Sequence, residues 1–328
     1  MQKLTHDKKE LEKYLKNQAW IKKDEDVLWA KKPGEGNMNF TQRIKTESRS
    51  FIIKQSRNYV EKYPQVAAPE ERVLQEAEFY ELTSTYPTLK KRMPKLLHLD
   101  KENHVMCLED LGDGRDFTFL FQQGNRLSEA ELRDLMDFVS TLHTQVTTKT
   151  TQTRLSNRAM RKLNYEHIFE YPYVENNGLN LNDILPGLQA IGDKFKEDQA
   201  LHTELKKLGE LYLSDGKHLL HGDFFPGSWL KTKEGVKIID PEFCFFGLPE
   251  FEMGVFFAHL KMADQSKTLQ QKAREIYAGK VSIDWVLCEK FTAVEILRRI
   301  LGLAQLPLEI DLEHRENLLE EARRLLVC

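Results

Sequence analysis

The sequence predicts an α+β protein of two lobes, a β-rich lobe carrying a helix followed by a mainly α-helical one. Three observations predict it. The chain has 328 residues with 41% hydrophobic content, enough for a sizeable core and more than one domain of ordinary size holds. Up to about residue 110, short alternating or β-branched segments are separated by turns. Beyond that point Leu132, Leu135, Met136, Val139, Leu142 and His143 keep one 3.6-residue stripe.

Taken in order, Leu4, Leu11, Leu15 and Ala19 stand near helical spacing and predict a short amphipathic helix before the charged turn Lys22–Asp26. Lys32-Pro-Gly-Glu-Gly-Asn-Met-Asn-Phe40 is a turn cluster. With Phe40–Ile44 and Ser50–Gln55 it predicts two antiparallel strands flanking a glycine loop. Pro69 can open a helix whose register, Val73, Ala77 and Tyr80, runs to a breaker at Thr83–Pro87. Pro94–Leu99 and His104–Leu108 predict a further hairpin. The polar, glycine-rich Glu109-Asp-Leu-Gly-Asp-Gly114 then marks a boundary, giving lobes 1–110 and 111–328. In the second lobe two short apolar runs, Lys217–His221 and Val236–Asp240, interrupt the helices, and each leads into a polar turn bearing a carboxylate. The threonine-rich Thr141–Thr153 is expected to be an exposed connection.

Composition narrows the function. Forty-eight Lys plus Arg against fifty-one Asp plus Glu leave a net charge of −3, so no global field draws in a polyanion, and nucleic acid is not an expected partner. The most apolar stretch, Phe243–Leu260, contains Pro249, Glu250 and Glu252, which argues against a membrane span. The N-terminus has no apolar segment of the secretory kind. Cys107, Cys244, Cys288 and Cys328 form no CxxC pair and read as free thiols in a reducing compartment. A cytoplasmic protein is expected, and a homodimer is left open.

The chemistry concentrates in two turns. His221-Gly-Asp-Phe-Phe-Pro-Gly-Ser228 follows one apolar run, and seventeen residues after Asp223 comes Asp240-Pro-Glu242 at the end of the other. Phosphoryl transfer needs little else: one carboxylate to orient the attacking hydroxyl and others to hold magnesium against the phosphates. Asp223 suits the first role, Asp240 and Glu242 the second. Residues two apart in extended chain project to one side, so both carboxylates are expected to reach one metal ion. Arg298 and Arg299 stand on an otherwise apolar helical stripe, where a guanidinium needs a partner. Either they face a ligand, or Glu295, four residues before Arg299, forms an exposed salt bridge with the pair.

With these motifs the chain resembles the kinase-like aminoglycoside and choline phosphotransferases, and most closely the methylthioribose kinases, which carry HGDxxxGS followed by a D-P-E-F turn. His221–Ser228 and Asp240–Phe243 match both in order and spacing. The resemblance extends over residues 34–40, 50–55, the Arg72–Tyr80 helix, residues 107–112 and residues 298–304, nearly the whole chain. It implies a two-lobed protein-kinase-like fold with ATP in the cleft and Mg2+ as cofactor. By the same resemblance Lys54 contacts the phosphates and pairs with a helix glutamate, Glu76, with Glu78 two residues on as the alternative. The glycine loop, with Gly36, Asn37 and Asn39, covers the nucleotide, and backbone near Glu109 and Leu111 meets adenine. Arg298 and Arg299 would bind the acceptor, a small polyol such as a methylthioribose-like sugar. An aminoglycoside or choline-like acceptor is the alternative, and a nucleotide-binding scaffold without activity a third reading.

Overall fold

Asp7 starts the first helix, α1 (Lys8–Asn17), by accepting hydrogen bonds from the backbone N–H groups of Lys9 and Glu10. The computed structural model of the chain describes residues 2–34, 36 and 38–327. There follow β1 (Val27–Lys31), β2 (Phe40–Thr46), β3 (Ser50–Gln55), the short pair β4 (Tyr59–Val60) and β5 (Tyr63–Ala67), helices α2 (Arg72–Thr83) and α3 (Pro87–Arg92), and β6 (Leu96–Asp100) and β7 (Val105–Glu109). A five-stranded antiparallel sheet runs in the order β1-β2-β3-β7-β6. β2 alternates buried and half-buried residues along its length, which is the period-2 signal a half-covered strand leaves in a sequence.

Two expectations change here. Phe40–Ile44 and Ser50–Gln55 do pair, with Phe40 opposite Gln55 and Ile44 opposite Phe51, but they are joined by the turn at residues 47–49. The glycine loop instead lies between β1 and β2. β1 escaped notice because it is an edge strand with only Val27 buried, so no alternation marks it. Pro87 does not break the chain but opens α3 at its first turn.

The remaining elements are β8 (Arg115–Asp116), α4 (Glu129–Gln145), α5 (Arg158–Tyr165), α6 (Leu188–Lys196), α7 (Gln199–Leu213), β9 (His218–Leu220), β10 (Trp229–Thr232), β11 (Gly235–Ile238), β12 (Phe245–Gly247), α8 (Pro249–Met262), α9 (Lys267–Ala278), α10 (Trp285–Leu301) and α11 (Leu312–Val327). Ser128 and Glu131 close α4 with reciprocal side-chain bonds at its N-terminus. Thr141 belongs to this helix and is buried, so the exposed connection is shorter than its threonine content implies. Among the described residues, no helix is long and apolar enough to cross a membrane.

Two hydrophobic clusters hold the molecule. One lies under α1 on the outer face of the sheet and contains Leu11, Leu15, Trp20, Phe40, Phe51 and Ile53. The other is continuous from α2 and α3, through Val73, Phe79 and Leu89, to Leu142, Phe224, Phe256 and Leu297 in the helical part. β9 and β11 end at the seam between sheet and helices, and that placement brings their two acidic turns to the same cleft.

Candidate active site

The turn after β9 is held by a carboxylate remote in sequence. Glu252 of α8, fully buried, accepts the backbone N–H of His221 at 3.1 Å and of Gly222 at 2.7 Å. It also receives His143 Nε2–H at 2.9 Å, and His143 Nδ1 in turn accepts the Tyr277 hydroxyl at 2.6 Å. His221 spends its own ring on structure, with Nε2 bonded to the Ile239 carbonyl at 2.9 Å. Gly222 has φ +86°, and a Cβ there would lie 2.1 Å from the Phe243 carbonyl oxygen, so only glycine lets the two turns approach this closely. Phe224 anchors the other side, packed against Phe138, Trp229 and Phe256 at ring centroid distances of 6.0, 5.4 and 6.1 Å.

Between these anchors Asp223 presents its carboxylate, one oxygen of which accepts Arg299 Nη2–H at 3.1 Å. Burial raises its pKa above the ordinary aspartate value, and Arg299 and Arg298 oppose that shift.

The second turn differs from expectation in its backbone. Asp240 has φ +62°, in the left-handed region, and the Cys244 N–H closes a turn on the Pro241 carbonyl at 3.0 Å. The chain is therefore not extended at 240–242, and the two carboxylates meet different partners. Asp240, its side chain 49% exposed, accepts Lys54 Nζ at 2.8 Å. Glu242 is buried and accepts Asn39 Nδ2–H at 2.8 Å, with Arg72 Nε 3.6 Å away. Asn157 fixes the turn from below by donating its amide to the carbonyls of Glu242 at 2.8 Å and Cys244 at 3.1 Å.

Lys54, at the centre of the sheet, also donates to Glu76 of α2 at 2.6 Å. Glu78 is exposed. Burial works against charge on the Lys54 ammonium, but Asp240, Glu76 and Glu242 outweigh it and raise its pKa. Arg72 braces the loop end of β2, with Nε–H on Asn39 Oδ1 at 2.9 Å and its other nitrogens on the carbonyls of Arg57, Pro69 and Met38. Gly36 lies exposed in the glycine loop. Asn37 lies outside the described residues. Glu109 ends β7 with its N–H committed to the Lys95 carbonyl at 2.9 Å, and Leu111 is half-buried just beyond.

Arg298 and Arg299 are both buried on α10, and so is Glu295. The four-residue spacing does make an ion pair, Arg299 Nε to Glu295 at 2.6 Å, but in the interior and not on the surface. Arg298 Nη1 joins the same carboxylate at 3.0 Å, while its Nη2 reaches Asn164 Oδ1 at 3.3 Å. The Arg299 guanidinium lies 4.7 Å from the centre of the Phe225 ring. Sequence reasoning missed Glu252, Asn157 and Arg72; each is a buried polar side chain whose partners lie far along the chain. The only trace in the sequence is a polar residue in an apolar run, as at Glu252.

A two-lobed cleft with these two turns defines a class. The chain belongs to the phosphotransferase enzyme family, APH, whose model matches residues 29–280. Among curated proteins it is 27% identical over 268 residues to the methylthioribose kinase of Exiguobacterium sibiricum, covering 76% of this chain and 66% of that one. It is 24% identical over 353 aligned positions to the methylthioribose kinase of Geobacillus kaustophilus, covering 93% and 86%. The chain thus spans just under two thirds of the first relative's length. Among solved structures it resembles the choline kinase LicA from Streptococcus pneumoniae, with a TM-score of 0.53, 15% identity and coverage of 96% and 98%. It also resembles the spectinomycin phosphotransferase in complex with ADP and spectinomycin, with a TM-score of 0.53, 16% identity and coverage of 97% and 98%. The fold is the two-lobed, kinase-like α+β fold of these enzymes.

Proposed function

We propose that the protein transfers the terminal phosphoryl group of ATP to a hydroxyl of a small polar acceptor, a sugar close to methylthioribose. The observation that carries this reading is Lys54, whose ammonium joins Glu76 of the sheet lobe to Asp240 of the DPE turn. One lysine thereby faces both halves of the cleft where phosphates would lie.

Each residue then has a task. Asp223 accepts the hydrogen bond of the acceptor hydroxyl and takes its proton as the new P–O bond forms. Lys54 offers a fixed positive charge to the phosphates, and the glycine loop, with Gly36, Asn37 and Asn39, covers them. Backbone near Glu109 and Leu111 meets the base, with the Glu109 N–H already given to the Lys95 carbonyl. Asp240 and Glu242 are the residues that would hold magnesium. Among the described residues no three His, Cys, Asp or Glu side chains form a metal centre by themselves, so phosphate oxygens and water must complete the shell. Bound there, magnesium would neutralise charge on the phosphates.

Arg298 and Arg299 raise no net positive wall against an acceptor bearing ammonium groups, because Glu295 and Asp223 balance their charge. Retention of the base, the lysine and both DPE carboxylates argues against an inactive scaffold. The relatives' names supply the sugar, and free, buried Cys107, Cys244 and Cys288 suit a reducing cytoplasm.

The test is acceptor-dependent ADP release with methylthioribose, other small sugars, choline and aminoglycosides. Turnover is expected with methylthioribose or a close analogue. Activity confined to choline or an aminoglycoside would overturn the sugar assignment, and no turnover with any acceptor would overturn the kinase reading.

A further inference from the structure

His259 is a lone histidine in the apolar run of α8, fully buried and without an evident task in the sequence. Its Nε2 lies 3.1 Å from Glu295 Oε1. Burial pushes its pKa down to about 4, so the ring is neutral and donates Nε2–H to the carboxylate. Phe121 and Phe225 pack on its faces at 5.8 and 5.1 Å. Glu295 in turn accepts from three donors on two helices: His259 Nε2, Arg299 Nε at 2.6 Å and Arg298 Nη1 at 3.0 Å. Burial alone would raise the Glu295 carboxyl, but Arg298, Arg299 and His259 reverse this and hold it well below the ordinary range.

The consequence falls on Arg299. Its guanidinium is planar and rigid, so fixing Nε against Glu295 and Nη2 against Asp223 Oδ1 sets the orientation of the whole group. The Phe225 ring at 4.7 Å lies against the same group. In this pose Arg299 touches Asp223 through one nitrogen and one oxygen. A guanidinium free to turn would form the two-bonded fork with Asp223, the stronger arrangement, and would occupy both carboxylate oxygens.

We propose that Glu295 and His259 are positioning residues for phosphoryl transfer, holding Arg299 to a single contact with Asp223 so that the second carboxylate oxygen stays open to the acceptor hydroxyl. The inference rests on Asp223 being the base. His259 matters because it is the donor to Glu295 from a second helix: without it the carboxylate keeps only donors from its own helix, and its hold on Arg299 Nε loosens while Arg298 stays tied to Asn164.

The test compares His259→Phe, which keeps the ring packing and removes the donor, with His259→Gln, which keeps an N–H donor; His259→Leu replaces the Phe variant should that one not fold. For folded proteins with matching near-ultraviolet circular dichroism, the Phe variant should lose tenfold or more in kcat with the KM for ATP within twofold. The Gln variant should recover to within about threefold of wild type. A second measurement needs no acceptor: the Arg299 Nε–H resonance, assigned by its loss in Arg299→Lys, should be slow to exchange in wild type and in His259→Gln, and shifted or lost in His259→Phe. A Phe variant with kcat within twofold of wild type, or with the Arg299 resonance unchanged, overturns the proposal. If the wild-type enzyme turns over no acceptor, the functional reading fails by itself, and the resonance still decides the positioning role.

Discussion

Asp223 must be an anion to serve as a base, yet it is buried, and its charge is sustained by a guanidinium. Replacing it by Asn keeps the shape and removes the acceptor of the proton, so kcat should fall by about 10² to 10⁴. The ATP KM should change little, since the proposed role sets the group on the acceptor side; turnover within a few-fold of wild type would remove Asp223 from the role. Its raised pKa also has a sign. Because the protonated form is inactive and persists to higher pH than in a free aspartate, the acid limb of kcat/KM should lie above the ordinary aspartate range. A pH profile that stays flat down into that range would contradict this. Asp223, Asp240 and Glu242 could be singled out in the sequence because each motif is contiguous. The surroundings of Arg298 and Arg299 could not. A spacing of four residues says that Glu295 and Arg299 can meet, but it does not say whether they meet in water or in the core, and that depends on α8, thirty-six residues away at His259.

At the scale of elements, two turns had to come within van der Waals distance, and glycine at 222 is what permits it. In Gly222→Ala a methyl group would meet the Phe243 carbonyl, and φ would stay in a region L-residues avoid. Stability should drop by at least about 2 kcal/mol, measured by urea unfolding, with activity lost in the remaining folded protein. Unfolding at the wild-type midpoint would show that the turns can separate. α2 and the β6–β7 hairpin were readable from apolar spacing, as was the stripe of α4. β1 was not, since an edge strand with one buried residue carries almost no period, and the left-handed Asp240 was not, since aspartate is common in both ordinary and left-handed turns.

For the molecule as a whole, the break in sequence pattern near residue 110 does not divide the larger hydrophobic cluster, which continues from Val73 and Phe79 of α2 into α4, α8 and α10. We therefore expect the lobes 1–110 and 111–328 to fold as one cooperative unit. A fragment ending at residue 110 should remain unfolded, because α2 and α3 would leave their apolar faces in water, and the full chain should give one calorimetric transition. Two separated transitions, or a folded fragment by circular dichroism, would show independent lobes. Periodicity within a segment reports which face is covered but not by what, and so the shared core could not be read from the sequence.

The aromatic packing under the catalytic turn constrains how this enzyme can choose among acceptors. Phe224 directly follows Asp223 and is locked between Phe138, Trp229 and Phe256, so the carboxylate cannot travel to meet a hydroxyl presented an ångström too far away. Such a misplacement costs on the order of a hundredfold in rate. Poor acceptors should therefore be able to lodge in the cleft and still fail to react, so that discrimination between related acceptors is expressed in turnover number more than in affinity.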